Sequence, residues 1–333
     1  MPVFLSSLKK KGHLEQIHLT LGVIGSRKVR GQDDFGSQSW NIFAPSLTIY
    51  GFDADEDACI TANTDLEQRQ INWKEKHFPL ALSNLKSEST LYVTKSLESS
   101  SLYEPNTTYL QRFFQLSELL EVAFTIEVET TTLDSFCQSE QVEQIDFLQI
   151  DAQGAELPIL QGSLQILQNS VLAIHTEVSF SPIYLNQPLF ADVDFYLRDK
   201  GFTLFDLSAA YYKRSRSPIA PRTRPGQLIW GECIYFRDFL GGRSPHLNQP
   251  ENLLKLACIA DILDFPDYTL EILEYLTLQY GRNSDYNFAD SIVESLAQIP
   301  ELLQQGLEIL PVITNVKEYL SQESLNLIRT REI

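Results

Sequence analysis

The sequence predicts an α/β fold, with a doubly wound, mainly parallel sheet followed by an all-helical C-terminal extension. The first observation is the order of apolar run, turn, helical pattern and second apolar run between residues 145 and 178, which is typical of a strand–helix–strand unit. The second is that two earlier apolar runs end at a glycine or an aspartate. The third is the change, after residue 244, to leucine-rich segments with helical spacing.

The composition is that of an ordinary globular protein, with 333 residues, 43% hydrophobic content and a formal net charge of −18. Such a charge repels nucleic-acid phosphates, so we predict no nucleic-acid partner. The four cysteines form no CxxC pair, which argues against a zinc site and a disulfide framework. Because neither a secretory signal nor an apolar run of membrane-spanning length is present, the sequence predicts a cytoplasmic protein without a membrane span.

The front half predicts two strands that end near a ligand. Residues 18–25 form the first and enter a glycine-bearing turn, and residues 47–52 form the second and close on Asp53, before a helix that begins near Asp55. Glycines at such a turn let the backbone approach a ligand, and an acid at the end of the second strand can bind both hydroxyls of a ribose. No GxGxxG is present, so the pattern does not distinguish a ribose-binding Asp53 from an acid that caps the helix.

Less regular segments follow. Residues 78–82 predict a short third strand that ends at Ser83 and Asn84. Residues 90–94 alternate like an edge strand, and residues 124–132 predict a further strand before a short helix.

The central unit carries the candidate chemistry. Residues 145–150 predict a strand that ends on Asp151, and residues 171–178 predict a strand that carries His175 and Glu177. Since ligands of parallel sheets bind at the carboxyl ends of the strands, we expect Asp151 and Glu177 to lie at one site.

Each candidate has an alternative interpretation. His175 and Glu177 lie two residues apart on one face of the strand, so Glu177 could orient the imidazole of a catalytic His175. The alternative is that His175 is a core residue, which is the more common role of a single histidine in a strand. Asp151 fits either a general base or a helix cap. Glu156 fits either a contact with the acceptor or hydrogen bonds to backbone N–H groups.

The rest of the α/β region predicts a helix over residues 191–200, a strand over 202–207 and a final strand over 228–236. Between the last two lies a basic, proline-bearing segment, residues 208–226, which we predict to be a mobile loop. Residues 211–225 of this loop are the candidate lid or acceptor contact, and their arginines suit an anionic acceptor.

The predicted domains are residues 1–244 and residues 245–333. The second carries no site-like residues, and we interpret it as an appendage with one of two roles: packing against the first domain, or dimerisation, which would make the chain a homo-oligomer through these helices.

Several short motifs are similar to those of one known family. They are TTLDSF at 131–136, IDFLQIDAQGAE at 145–156, LQG at 160–162 and EVSF at 177–180. These motifs resemble FkbM-type methyltransferases, most strongly between residues 131 and 207, within a resemblance that extends from about residue 19 to 239.

The resemblance implies a class I methyltransferase (Rossmann-like) fold, S-adenosylmethionine as the cofactor, and transfer of a methyl group to a hydroxyl of a sugar, glycan or polyketide-like acceptor. No metal is required for such a transfer. The residues carried over by position are Gly22 and Gly25 in the glycine turn, Asp53 at the ribose, Ser83 and Asn84 near the adenine, and residues 151–156 facing the reacting centre.

Three positions depart from the family pattern. An acid expected before the glycines is replaced by Thr20 or Leu21, a lysine expected two residues before the central acid is Gln149, and an acid expected near the adenine is Asn84. The altered glycine turn and Gln149 favour one alternative, a non-catalytic binding protein on the same fold. A second alternative is another nucleotide-using Rossmann protein, such as a nicotinamide-dependent sugar reductase.

Overall fold

The structure is a computed structural model that describes residues 2–28, 35–219, 221–240 and 247–329. The chain divides into two compact units, one formed by residues 1–19, 35–47 and 239–333 and the other by residues 20–34 and 48–238. The predicted domains, 1–244 and 245–333, stay a prediction. The structural division differs from them mainly because two N-terminal segments group with the C-terminal helices.

The regular elements are named in chain order. The α-helices of the described residues, α1 to α14, are Leu5–Lys10, Glu56–Arg69, Thr107–Leu110, Leu116–Leu119, Leu133–Glu140, Glu156–Gln161, Leu164–Asn169, Phe190–Asp199, Pro250–Ile262, Pro266–Tyr280, Ala289–Leu296, Pro300–Gln305, Pro311–Val316 and Gln322–Arg329. The strands, β1 to β11, are Leu19–Ile24, Leu47–Asp53, Lys74–Pro79, Ala81–Leu82, Glu88–Thr94, Val122–Thr131, Phe147–Ile150, Ala173–Ser179, Thr203–Leu207, Ala210–Tyr212 and Gln227–Phe236.

The main sheet has the order β10-β11-β8-β7-β1-β2-β3, and β9 also pairs with β11. The pairs β2–β3, β1–β7 and β7–β8 are parallel, whereas β11 is antiparallel to β8. The chain builds outward from β1 in one direction and then returns to add β7 and β8 on its other side. This is the doubly wound arrangement that the sequence predicted, and its reversal point lies between β1 and β7.

The third strand is the part of the sheet that the sequence predicted wrongly. Strand β3 covers Lys74–Pro79, and its register with β2 ends where Pro79 lies beside Asp53. Proline has no N–H to donate, which is consistent with the ladder ending there. Strand β4 instead pairs with β6 in a separate sheet of order β4-β6-β5, which also contains the predicted edge strand, residues 90–94.

The core of the main sheet explains why its central strands were recognisable. In β7, Phe147, Leu148 and Ile150 are fully buried, because a strand covered on both faces is apolar along its whole length. Helices α9 to α14 follow the main sheet in the sequence, which confirms the predicted all-helical extension.

A buried acid links the N-terminal segment to these helices within the first unit. The carboxylate of Asp261, on α9, accepts the N–H groups of Val3, Phe4 and Leu5 at 2.8, 2.8 and 2.9 Å. These hydrogen bonds satisfy donors at the start of α1 that have no partner within the helix. Within the described residues, no helix is both long enough and apolar enough to cross a bilayer.

Candidate active site at the carboxyl ends of the strands

The carboxyl ends of three neighbouring strands are joined directly by backbone hydrogen bonds. The N–H of Gly25, after β1, donates to the carbonyl of Phe52 on β2 at 2.9 Å. The N–H of Asp151, after β7, donates to the carbonyl of Ile24 at 3.0 Å. The predicted site residues Gly25, Asp53 and Asp151 therefore lie at one edge of the sheet.

Gly25 has a specific reason to lack a side chain. Its φ is +78°, and a Cβ built on it would lie 1.9 Å from the carbonyl oxygen of Asp151. Gly22, which the resemblance placed in the same turn, lies instead inside β1, where a Cβ would lie 2.7 Å from Leu148. That placement of Gly22 is wrong, because β1 continues to Ile24 and the turn begins only at Gly25.

Asp53 is distinct from the helix cap that follows it. The N-cap of α2 is Asp55, whose carboxylate accepts the N–H groups of Asp57 at 2.9 Å and Ala58 at 3.2 Å. Asp53 is half-buried, and its Oδ1 accepts the N–H of Asp55 at 2.9 Å. Burial raises the pKa of the Asp53 carboxyl, opposed by the backbone hydrogen bond from Asp55 and by the charge of Arg27.

The turn after β7 is held by Glu156. Its Oε1 accepts the N–H of Ala152 at 3.1 Å and the N–H of Gly154 at 3.0 Å, and only 5% of the residue is exposed. Of the two interpretations of Glu156, the one observed in the structure is that its carboxylate forms hydrogen bonds to backbone N–H groups. Burial, helped by the nearby charge of Asp151 and opposed by the backbone hydrogen bonds, raises the pKa of this carboxyl to about 7.

Replacing Glu156 by glutamine should increase the free energy of unfolding at pH 8. Because the folded-state pKa is about 7 against an ordinary 4.5, the folded state binds the proton more tightly, and the stability from this group is lost as pH rises from 4.5 through 7. The loss amounts to about 3 kcal/mol. Glutamine keeps the acceptor oxygen without the charge. Urea unfolding at pH 5 and pH 8 measures the effect.

The surface variant Glu67→Gln is the control for this experiment, since Glu67 is exposed on α2. If Glu156→Gln raised the free energy of unfolding equally at pH 5 and pH 8, the result would contradict the raised pKa of Glu156.

Gln153 connects the two predicted strand-end acids. Its Nε2 donates to Oδ1 of Asp151 at 2.7 Å and to Oε2 of Glu177 at 3.1 Å. Its Oε1 accepts the hydroxyl of the buried Tyr184 at 2.8 Å. The prediction that Asp151 and Glu177 lie close together agrees with this geometry. In the sequence, Gln153 is only one member of the motif at 151–156, and sequence reasoning missed its position between two acids.

The two acids have different environments. Asp151 is exposed, whereas Glu177 is half-buried. Burial, followed by the negative charges of Asp151, Glu156 and Glu232, raises the pKa of Glu177 well above its usual value. Neighbouring carboxyls in such unequal environments can divide the tasks of holding and accepting a proton.

His175 has a different partner from the one that strand spacing suggested. Its Nε2 lies 3.2 Å from Oε2 of Glu232, and this hydrogen bond lowers the pKa of the Glu232 carboxyl. The reason is the pairing of β11 with β8, in which Glu232 lies opposite Glu177 and Ile234 lies opposite His175. Glu232 is thus the diagonal neighbour of His175, within reach of a long side chain.

Ser83 and Asn84 follow β4 rather than β3. The N–H of Ser83 donates to the carbonyl of Thr131 at 2.8 Å, and Asn84 is exposed. A Cβ on Gly162, at the end of α6, would lie 2.1 Å from the carbonyl oxygen of Ser83. Glycine at position 162 is thus required for the close approach of the end of α6 to Ser83. In the sequence, Gly162 is only one member of the LQG motif, which does not reveal this contact.

A buried polar network lies directly after the glycine turn and had no sequence signal. The hydroxyl of Ser26 lies 2.8 Å from Nδ1 of His77, and Nε2 of His77 lies 3.1 Å from Oε1 of Glu75. Lys28 Nζ lies 2.7 Å from the same oxygen. Burial alone raises the pKa of Glu75, but hydrogen bonds from His77 and Lys28 lower it to about 2. The network holds Ser26 in place beside the candidate cofactor turn.

Comparison with known families agrees with the resemblance in the motifs. Residues 41–204 match the family model of the methyltransferase FkbM domain, so the resemblance is confirmed over this range. No curated protein sequence matches the chain.

Solved structures provide more distant similarities. The chain is similar to methyltransferase FkbM from Methylobacillus flagellatus KT, with a TM-score of 0.39, 10% identity, and coverage of 66% of this chain and 43% of that chain. It is also similar to magnesium protoporphyrin IX methyltransferase from Synechocystis PCC 6803, solved with bound SAM, with a TM-score of 0.33, 11% identity, and coverage of 70% and 76%. For TrmK from M. capricolum, solved with S-adenosyl-homocysteine, the TM-score is 0.33, the identity 11%, and the coverage 93% and 96%.

Proposed function

We propose that the chain, whose residues 41–204 carry a methyltransferase FkbM domain, is an S-adenosylmethionine-dependent O-methyltransferase that acts on a hydroxyl of a sugar, glycan or similar acceptor. The observation that carries the proposal is the pair of acids, Asp151 and Glu177, joined by Gln153 at the carboxyl edge of the sheet. Transfer of a methyl group to an alcohol requires a group that removes the hydroxyl proton, and a carboxylate at this edge is suited to that task.

The cofactor-binding residues of the proposal are Gly25 and Asp53, with Ser83 and Asn84 added by the resemblance. Two observations fit an adenosyl group. The Asp53 carboxyl lies at the end of β2 and is not the N-cap of α2. The backbone N–H of Gly25 donates a hydrogen bond to the carbonyl of Phe52, the residue before Asp53. When bound, S-adenosylmethionine supplies an electrophilic methyl group.

The roles of the acids follow from their environments. Asp151, which is exposed, accepts the proton of the acceptor hydroxyl. Glu177, whose raised pKa favours its protonated form, accepts the hydrogen bond from Gln153 without adding a second full negative charge beside Asp151. Gln153 is the positioning residue, because one amide group orients both carboxyls. His175 is the alternative base, held by Glu232.

Replacing Asp53 by alanine should weaken the binding of S-adenosylhomocysteine by about 1–3 kcal/mol, because ribose hydroxyls lose a charged acceptor. Isothermal titration calorimetry measures the affinity. The matched control is Asp57→Ala, which removes an exposed acid from the same helix start. If Asp53→Ala binds as tightly as the unaltered protein, Asp53 does not belong to the cofactor site.

Calorimetry also separates the proposal from its two rivals. We expect S-adenosylhomocysteine to bind and NAD not to bind. Binding of NAD alone would favour the nicotinamide-dependent sugar reductase, and binding of neither would favour the non-catalytic binding protein. Transfer of an isotope-labelled methyl group to cell glycans, and not to RNA, tests the acceptor class.

The proposal also covers the cellular location of the enzyme and its macromolecular partners. It comprises a cytoplasmic location, the absence of a nucleic-acid partner, and a homo-oligomer formed through the C-terminal helices. Fractionation of cells and sedimentation of the purified chain test the first and the last.

A further inference from the structure

A cleft of about 800 Å³ lies beside the hairpin of β10 and β11. Its lining includes Phe114, Tyr212, Lys213, Arg214 and Gln227, and we call it the basic cleft. It is separate from the acid pair, and neither the FkbM domain match nor the motifs assign it a ligand.

The strand pairing places the start of β11, whose Gln227 lines the basic cleft, beyond the carboxyl end of β8, the strand that carries Glu177. Strand β11 runs opposite to β8, so its first residue, Gln227, lies three positions beyond the pairing of Trp230 with Ser179, the last residue of β8. Further along β11, Glu232 lies opposite Glu177. Glu232 follows Gln227 by five positions of extended chain, which corresponds to about 16 Å.

The charge of this segment is opposite to that of the whole chain. Residues 208–226 contain five basic residues and no aspartate or glutamate, whereas the chain has a net charge of −18. Within the part of the chain that the structure describes, neither Lys213 nor Arg214 forms an ion pair with a carboxylate. Both side chains are exposed. Cations gathered without neutralising acids attract an anionic ligand.

The backbone that carries these cations forms hydrogen bonds with residues 112–114. The carbonyl of Lys213 accepts the N–H of Phe114 at 2.9 Å, and the N–H of Ser215 donates to the carbonyl of Arg112 at 3.0 Å. The guanidinium of Arg214 lies 4.5 Å from the centroid of the Phe113 ring and donates to the side chain of Gln227. The ordering cost of holding an anion is thereby reduced.

An exposed aromatic surface adjoins the cations. Phe114 is 59% exposed, although it is a large apolar residue, and Tyr212 lines the same cleft. Flat aromatic faces beside cations suit a ligand that combines a ring with a phosphate.

We infer that the basic cleft binds the phosphate or diphosphate group of the acceptor, which is a glycan carried on such a group. Lys213 contributes a point charge, and Arg214 contributes a planar set of donors. The acceptor then extends from the cleft toward Glu177 and presents its hydroxyl to Asp151. This inference rests on the proposed function, since it names the substrate class of the same site.

Calorimetry of the full chain with inorganic pyrophosphate tests the inference directly. We expect the double substitution Lys213→Gln/Arg214→Gln to weaken pyrophosphate binding by about tenfold or more, because two charged donors are lost. The binding of S-adenosylhomocysteine should not change. The matched control is Arg282→Gln/Lys317→Gln, which removes two exposed cations from the other compact unit.

Two results would overturn the inference: no binding of pyrophosphate to the unaltered chain, or equal binding to the Lys213→Gln/Arg214→Gln chain. If S-adenosylhomocysteine still binds in that case, only the cleft assignment fails. Failure of the unaltered chain to bind S-adenosylhomocysteine would instead refute the proposed function.

A labelled-methyl assay then distinguishes the sources of the phosphate. Methylation of nucleotide sugars supports a soluble acceptor, and methylation of diphosphate-linked glycans in phosphatidylcholine vesicles supports a lipid-linked one. With either acceptor, added pyrophosphate should inhibit the transfer of the methyl group. Equal methylation of the same glycan without its phosphate, or methylation of RNA alone, would overturn the inference.

Discussion

Replacing Asp151 by asparagine should lower the rate of methyl transfer by roughly 100- to 10,000-fold, the usual contribution of general acid–base catalysis. The amide retains an oxygen that can accept the hydrogen bond from Nε2 of Gln153, which lies 2.7 Å from Oδ1 of Asp151. It cannot take up the acceptor proton. Because Asp151 is exposed, the free energy of unfolding should change little. A single-turnover assay with labelled S-adenosylmethionine and an excess of acceptor measures the effect, together with thermal unfolding.

The variant His175→Asn separates the two candidate bases. His175 is hydrogen-bonded to Glu232 rather than to the Asp151–Gln153–Glu177 group, so we expect its loss to slow transfer much less. A fully active Asp151→Asn chain combined with an inactive His175→Asn chain would move the proton acceptor to His175. Binding of S-adenosylhomocysteine should persist in both variants, which excludes a lost cofactor site as the cause.

Gly25→Ala should have the largest effect on stability, a loss of about 2–5 kcal/mol. The new Cβ would lie 1.9 Å from the carbonyl oxygen of Asp151, and φ is +78°. Left-handed backbone costs an alanine about 1–2 kcal/mol, and forcing β1 and β7 apart adds about 1–3 kcal/mol. Displacement of these strand ends should also weaken the binding of S-adenosylhomocysteine. Urea unfolding and calorimetry measure the two effects.

Gly12→Ala is the matched control, since Gly12 has φ of +82° and nothing within 4 Å of its added Cβ. It should lose only the conformational contribution, about 1–2 kcal/mol, and keep its cofactor affinity. If both variants lost the same free energy of unfolding, the close approach of Gly25 to Asp151 would contribute nothing to the destabilisation by Gly25→Ala.

Much of the candidate site was predictable because its signals are local. A central strand buried on both faces is a continuous apolar run, so residues 145–150 and 171–178 were recognisable, and the acids at their ends followed. The third strand was not predictable in the same way. Strand β3 ends at Pro79, and residues 81–82 join another sheet through partners about fifty residues away.

Side-chain partners depend on register between distant segments. Spacing along β8 suggested that Glu177 orients His175, but the pairing of β8 with β11 places Glu232 beside the imidazole. The amide of Gln153 meets Glu177, twenty-four residues later in the chain.

The sequence by itself determined the doubly wound fold, the helical extension, and the strand ends where Asp53, Asp151 and Glu177 stand, because burial and turn chemistry act over a few neighbouring residues. Only the tertiary structure decided the position of Gln153 between Asp151 and Glu177, the requirement for glycine at position 25, and the basic cleft beside the hairpin of β10 and β11. The physical reason is that these features arise from backbones and charges brought within a few ångströms by segments far apart in the chain.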